Sequence, residues 1–266
     1  MPELPEVETI SRDLRKSLLG KQITDVCIHN SAVIREPSAE KFKKGLIGLR
    51  IKNILRKAKI LILELSNGKS LVIHLKMTGQ LVYPGEGKTS RVVFKLSNHK
   101  QLDFNDQRLF AELRLLDDWH DLPFIQNLGP EPLDLTLSEF KEKLKHKRTK
   151  IKPLLMDQKF ISGIGNIYAA EILFAARISP LRPGESLTDK ETVLLLQELK
   201  NILTKAIRYG GSSVDDYVRL SGKRGEFVKF HKVYGRENKP CFFCKTLIKK
   251  INLGGRGTYF CPKCQK

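Results

Sequence analysis

The chain has 266 residues, of which 41% are hydrophobic, and carries 48 Lys and Arg against 29 Asp and Glu, a formal net charge of +19. That length accommodates one large or two ordinary domains, and the apolar content suffices for a core. So basic a surface excludes polycationic partners and leaves nucleic acid, an anionic membrane or an acidic protein.

The opening Met-Pro-Glu-Leu-Pro-Glu lacks the basic start and apolar centre of a secretory signal, and no run approaches the roughly 20 apolar residues of a membrane-spanning helix. We therefore expect a cytoplasmic protein without membrane spans. Val7, Ile10, Leu14 and Leu18 recur at helical spacing and Gly20 stops the pattern, which predicts an amphipathic helix over 6–19. The lone Cys27 lies in an apolar stretch and reads as a packed core residue. Short β-branched runs follow at 50–56, 60–65, 70–75, 91–96, 101–104 and 110–116. Asn67-Gly68 between two of them is a hairpin signal, and Ser97-Asn98-His99 and the Pro84 to Gly87 stretch mark further turns. An antiparallel β-sandwich packed with the first helix accounts for this pattern.

After Gly129-Pro130-Glu131-Pro132 the texture changes. Thr136 with Glu139, and later Thr188 with Glu191, are capping-box pairs, and helical patterns run to about 147 and then over 152–157, 166–176 and 189–209 before Gly210-Gly211. The last stretch, 222–266, has twelve Lys and Arg against two Glu. The expected class is α+β in three parts: a β-sandwich domain with a flanking helix over 1–131, a helical domain over 132–221, and a basic segment over 222–266.

Cys241-Phe-Phe-Cys244 and Cys261-Pro-Lys-Cys264 are separated by sixteen residues, the two-knuckle spacing of a four-cysteine zinc ribbon. Four thiolates on two short turns can surround one Zn²⁺, and so short a segment needs the metal in order to fold. Arg256 lies in Gly254-Gly255-Arg256-Gly257, where small neighbours let an arginine project from a tight hairpin. Ser162-Gly-Ile-Gly-Asn166-Ile-Tyr168 joins two helical patterns. Its glycines allow either a plain turn or a backbone clamp on a phosphate, and Lys147, Arg148, Lys150 and Lys152 lie just upstream. Removal of Met1 would give Pro2 a free secondary amine, a nucleophile able to form an iminium ion with an aldehydic sugar carbon. Glu3 and Glu6 stand close enough to supply acid and base.

From end to end these segments resemble the formamidopyrimidine-DNA glycosylases. Pro2-Glu3-Leu4-Pro5-Glu6-Val7-Glu8-Thr9 is similar to the family's opening. Arg56-Lys-Ala-Lys59 resembles its basic stretch, and His74-Leu-Lys-Met77-Thr-Gly79 its first DNA-probing loop. Residues 151–157 and 163–169 resemble its helix-two-turns-helix module, and the cysteine ribbon its C-terminus. The resemblance implies removal of oxidised purines from duplex DNA followed by strand scission, with one structural zinc and a monomeric enzyme. It implies Pro2 as Schiff-base nucleophile, Glu3 as general acid/base, Glu6 as supporting carboxylate, Lys59 as assistant in β-elimination and Arg256 as holder of the phosphate for δ-elimination. Lys147, Lys152 and Asn166 would contact the DNA backbone, while Met77, Arg108 and Phe110 would enter the duplex where a nucleotide is flipped out, and Thr89, standing where the family has a histidine, could still donate one hydrogen bond to the DNA. Two stretches depart from the family's pattern: Thr89-Ser90-Arg91 replaces His-x-His, and Gln107-Arg108-Leu109-Phe110 replaces Pro-Arg-Arg-Phe. The rival readings are the sister endonuclease preferring oxidised pyrimidines and a non-catalytic zinc-ribbon DNA-binding paralogue.

Overall fold

The first helix, α1 (Leu4–Leu18), begins two residues before the predicted start at residue 6. Pro5 occupies its first turn, where a missing N–H costs nothing, and Glu3 and Glu6 close a capping box. This is a computed structural model, and it describes residues 1–87 and 90–266. Three elements follow where the sequence pattern predicts none: β1 (Ile23–Ile28), β2 (Ile34–Glu36) and α2 (Ala39–Leu46). Then come β3 (Ile51–Lys57), β4 (Ile60–Leu65), β5 (Ser70–His74), β6 (Gly79–Val82), β7 (Val92–Leu96), β8 (Gln101–Asp106) and β9 (Glu112–Leu116).

These strands form two sheets, ordered β1-β7-β8-β6 and β2-β9-β5-β4-β3 among the described residues. The pairings are antiparallel, as expected, except that β2 runs parallel to β9. A long stretch of chain separates these two strands, so no hairpin dictates their sense. Val26, Phe94 and Phe104 of one sheet share a core with Ile54, Leu63, Ile73 and Leu113 of the other, and Leu14 of α1 and Phe42 of α2 join it.

After α3 (Pro123–Gln126) the chain turns helical, with α4 (Leu137–Leu144), α5 (Ile151–Met156), α6 (Asn166–Ala175) and α7 (Asp189–Arg208), and it closes with the hairpin of β10 (Lys249–Leu253) and β11 (Arg256–Phe260). Both Thr/Glu capping boxes form. The Thr136 and Thr188 N–H groups each donate to the Glu carboxylate three residues on at 2.8 Å, and each hydroxyl accepts the returning N–H at 3.3 Å. Two compact units result: Met1–Gln126 with Ile207–Val228, and Asn127–Ala206 with Lys229–Lys266. The end of α7 and the stretch behind it thus belong with the β-sandwich. No helix among the described residues is long and apolar enough to cross a membrane.

Candidate active site and nucleic-acid interface

Pro2 is buried, and Glu3, the N-cap of α1, is 2% exposed. The Glu6 carboxylate is fixed at both oxygens: Oε2 accepts the Glu3 N–H at 2.8 Å and Oε1 accepts the Ser212 N–H at 2.7 Å. A carboxylate at this end of a helix is favoured by the aligned peptide dipoles. Gly211 makes the second bond possible. Its φ is +80°, and a Cβ there would stand 2.7 Å from Glu6 Oε1, so a larger residue would hold the backbone away. Tyr217, also buried, donates its hydroxyl to the Gly210 carbonyl at 3.0 Å, and burial together with the Glu6 anion pushes its phenol well above the usual value. Ser212 and Tyr217 are site residues that the sequence reading missed, since its one signal there was a helix stop.

Lys59, 8% exposed, is the second residue of the two-residue turn between β3 and β4, where Lys57 pairs with Ile60. Arg56 donates through Nη1 to the Ala58 carbonyl at 3.0 Å and through Nε to Glu8 Oε2 at 2.8 Å. Arg12 binds the other Glu8 oxygen at 2.7 Å. Burial pushes the Glu8 carboxyl up, but the two guanidinium groups outweigh it and hold the group below its ordinary value. The helix bearing Glu3 and Glu6 is therefore fastened to the turn bearing Lys59. Met77, Arg108 and Phe110 are exposed on two loops of the same unit. Thr89 lies outside the described residues.

In the second unit Lys147 and Arg256 are exposed, the latter just past the Gly254-Gly255 turn, where both glycines have positive φ. Lys152 is not on the surface. At 1% exposure its ammonium donates to Asn166 Oδ1 at 2.5 Å, to Thr258 Oγ1 at 2.8 Å and to the Gly257 carbonyl at 3.4 Å. Asn166, first residue of α6, donates from Nδ2 to that same carbonyl at 3.1 Å. The two side chains thus brace the strand that begins with Arg256. Glu171, also missed, sits in the apolar α6, and its carboxylate takes the N–H groups of Lys232, Val233 and Tyr234 at 2.8, 3.0 and 2.8 Å. Burial nevertheless raises its carboxyl above the ordinary value. The four cysteine sulfurs of the ribbon lie within 4.8 Å of one another, with Cys241 to Cys264 at 3.9 Å and Cys244 to Cys261 at 3.4 Å. A Zn–S distance of about 2.3 Å gives a sulfur tetrahedron with edges of roughly 3.8 Å, so the set fits that ion.

The model of the formamidopyrimidine-DNA glycosylase N-terminal domain matches residues 1–113, that of the same enzymes' H2TH domain residues 128–218, and that of the zinc finger found in FPG and IleRS residues 238–266. The chain belongs to the formamidopyrimidine-DNA glycosylase family. A family member from Pelotomaculum thermopropionicum is 43% identical over 274 residues, an alignment covering 100% of this chain and 99% of the relative. The crystal structure of the MutM (FPG) protein of Thermus thermophilus matches with a TM-score of 0.89 at 38% identity, over 99% of this chain and 98% of that one. A Lactococcus lactis FPG variant, solved in complex with Fapy-dG containing DNA, matches with a TM-score of 0.91 at 36% identity over 100% of both chains.

With the family's zinc-finger model over 238–266 and a sulfur cluster of the right size, the ribbon is a site for one structural zinc ion. Of the two departures from the family's pattern, Thr89-Ser90-Arg91 includes a residue outside the description. At the other, Leu109 is half-buried against the β-sandwich core. Leu109 thus gives the loop an apolar anchor between Arg108 and Phe110.

Proposed function

We propose that this protein is a base-excision-repair enzyme that removes formamidopyrimidines and 8-oxoguanine from double-stranded DNA and then opens the strand at the resulting abasic site. The observation that carries the reading is the start of α1, where Pro2, Glu3 and Glu6 are buried together and Glu6 is held at both oxygens by backbone N–H groups. A protein that only binds DNA has no use for so constrained a pair of carboxylates beside an N-terminal proline.

Once Met1 is removed, the Pro2 amine attacks the sugar carbon bearing the damaged base, the glycosidic bond breaks, and Glu3 moves the proton that lets the sugar ring open. The resulting iminium ion withdraws electrons and acidifies the neighbouring C–H. Loss of that proton expels the 3′ phosphate, assisted by Lys59. A second elimination expels the 5′ phosphate, which Arg256 holds, and hydrolysis of the imine restores the amine. Lys147, Asn166 and Thr89 take backbone phosphates. Lys152 serves that contact by setting Asn166 and the Arg256 strand, and Met77, Arg108 and Phe110 fill the space left by the flipped nucleotide. The zinc holds the ribbon that carries Arg256. The enzyme works as a cytoplasmic monomer.

Reductive trapping tests this reading. Borohydride should cross-link the Met1-free protein to an oligonucleotide containing 8-oxoguanine or an abasic site, and protein retaining Met1 should not cross-link. Equal trapping by both forms would remove Pro2 as the nucleophile. Faster excision of an oxidised pyrimidine than of 8-oxoguanine would favour the sister activity instead.

A further inference from the structure

The loops carrying Met77 and Phe110 leave the first unit at paired positions, since Gly79 at the start of β6 is the register partner of Asp106 at the end of β8. In the first loop Lys76 has a φ of +50°, and the Gly79 N–H donates to the Leu75 carbonyl at 2.9 Å. A Cβ on Gly79 would meet that oxygen at 2.5 Å, so the turn closes only around glycine. It leaves Met77 39% exposed and turns Thr78 inward, to 8%. In the second loop Leu109 has a φ of +57° and packs against the core, while Phe110 stands 50% exposed with the Arg108 guanidinium 4.7 Å from its ring centre.

Asp106 lies beneath both loops with no exposure. Its Oδ1 accepts the Thr78 hydroxyl and the Arg108 N–H, the latter at 3.2 Å, and its Oδ2 accepts the Ala111 N–H at 2.7 Å. Thr78 Oγ1 in turn accepts the Arg108 N–H at 3.3 Å. An aspartate that binds the N–H groups of its own loop is a common turn device. The hydroxyl from the other loop is what goes beyond it: one carboxylate joins the residue next to Met77 to Arg108 and Ala111, which bracket Leu109 and Phe110.

We propose that Asp106 is a positioning residue that locks the two loops into one wedge, so that Met77 and Phe110 enter the base stack together and the damaged nucleotide leaves in a single step. This rests on the reading that both loops enter the duplex. Displacing a stacked base meets resistance, and a side chain on a loop free to yield cannot hold the gap open. The Thr78–Asp106 link matters most where an intact base must be displaced and less at an abasic site, where there is no base to unstack.

The test compares Asp106→Asn, Thr78→Val and the double variant on 8-oxoguanine and on preformed abasic DNA under single-turnover conditions, with 2-aminopurine beside the lesion reporting unstacking. Each single variant should slow unstacking and 8-oxoguanine excision by about tenfold, the effect of one lost buried hydrogen bond. Incision at the abasic site should fall by much less, and the double variant should be no slower than the worse single one. An unchanged ratio of the two rates in Thr78→Val, which removes only the link between loops, would overturn the proposal, as would strictly multiplicative effects in the double variant. Met77→Ala and Phe110→Ala separate the underlying reading. If neither alters the 2-aminopurine signal, the loops do not enter the duplex and the functional reading of them fails, whatever Asp106 does.

Discussion

At the turn that carries Lys59, Ala58 has a φ of +52°, a region that costs a non-glycine residue about 1–2 kcal/mol, and the Glu8-bound Arg56 guanidinium holds the Ala58 carbonyl there. Neither Glu8 nor Arg56 is needed to touch DNA for this effect. Charge-assisted hydrogen bonds of this kind contribute roughly 1.5–3 kcal/mol, so Glu8→Gln should let the turn drift and slow strand scission by about tenfold. In a Lys59→Ala background the same substitution should add little, and a full additional tenfold loss there would show that Glu8 acts through something other than Lys59. His74, at the end of β5, gives a pH dependence. Burial, and then the Lys76 cation, push its imidazole down to about 3, and its Nδ1 faces the Lys76 N–H at 3.0 Å as an acceptor. The folded value lies below the ordinary 6.5, so this contribution to stability is complete above that pH and is lost on acidification from 6.5 towards 3. The loss is at most about 1.4 kcal/mol per pH unit. His74→Asn keeps an acceptor but does not titrate, and between about pH 7 and about pH 5 it should lose less stability in urea melts than the parent. Parallel losses would clear His74 of the effect.

Among the elements, those with a clean period or a capping pair were legible: α1 from its apolar stripe, α4 and α7 from their Thr/Glu boxes, and β3, β4 and β5 from β-branched runs around Asn67-Gly68. What escaped is equally physical. The burial of β1 does not alternate, and β2 has three residues and pairs with a strand far along the chain, so neither carries a local signature. The same holds within the candidate site. Pro2, Glu3 and Glu6 are contiguous and conspicuous, whereas Ser212 reaches Glu6 across 206 residues and Lys152 reads as one more surface cation until the fold buries it. The ribbon was legible because metal chemistry dictates its spacing, and it yields a prediction of its own. Its cluster of Val233, Cys241, Ile248 and Cys261 with Ala170 and Phe174 of α6 is still small, so the metal supplies folding energy that this core cannot. Cys244→Ser should release zinc, speed amide exchange across β10 and β11, and weaken DNA binding by an order of magnitude or more, while α1 and the β-sandwich keep their protection. Undiminished DNA affinity in verified zinc-free protein would show that the ribbon is dispensable for binding.

For the molecule as a whole, the residues assigned to iminium chemistry belong to one compact unit, and Arg256, with the Lys152 and Asn166 that brace its strand, belongs to the other. Arg256 is thus outside the unit that holds Pro2, Glu6 and Lys59, and a substitution there tests the phosphate it is proposed to hold. Once the iminium has formed, β-elimination expels the 3′ phosphate and δ-elimination the 5′ phosphate, so a cation on only one of them affects the two steps unequally. Arg256→Ala should let the β-product accumulate and depress the δ-product. It should also weaken binding, because a charge-assisted phosphate contact contributes roughly 1.5–3 kcal/mol. With a net charge of +19 the remaining surface still attracts DNA at low salt, where saturating enzyme in a single-turnover assay removes the binding loss from the comparison. Under those conditions a wild-type ratio of β- to δ-product would reduce Arg256 to a binding residue. A ratio shifted about tenfold towards the β-product, with the first elimination at its normal rate, would place Arg256 on the second phosphate.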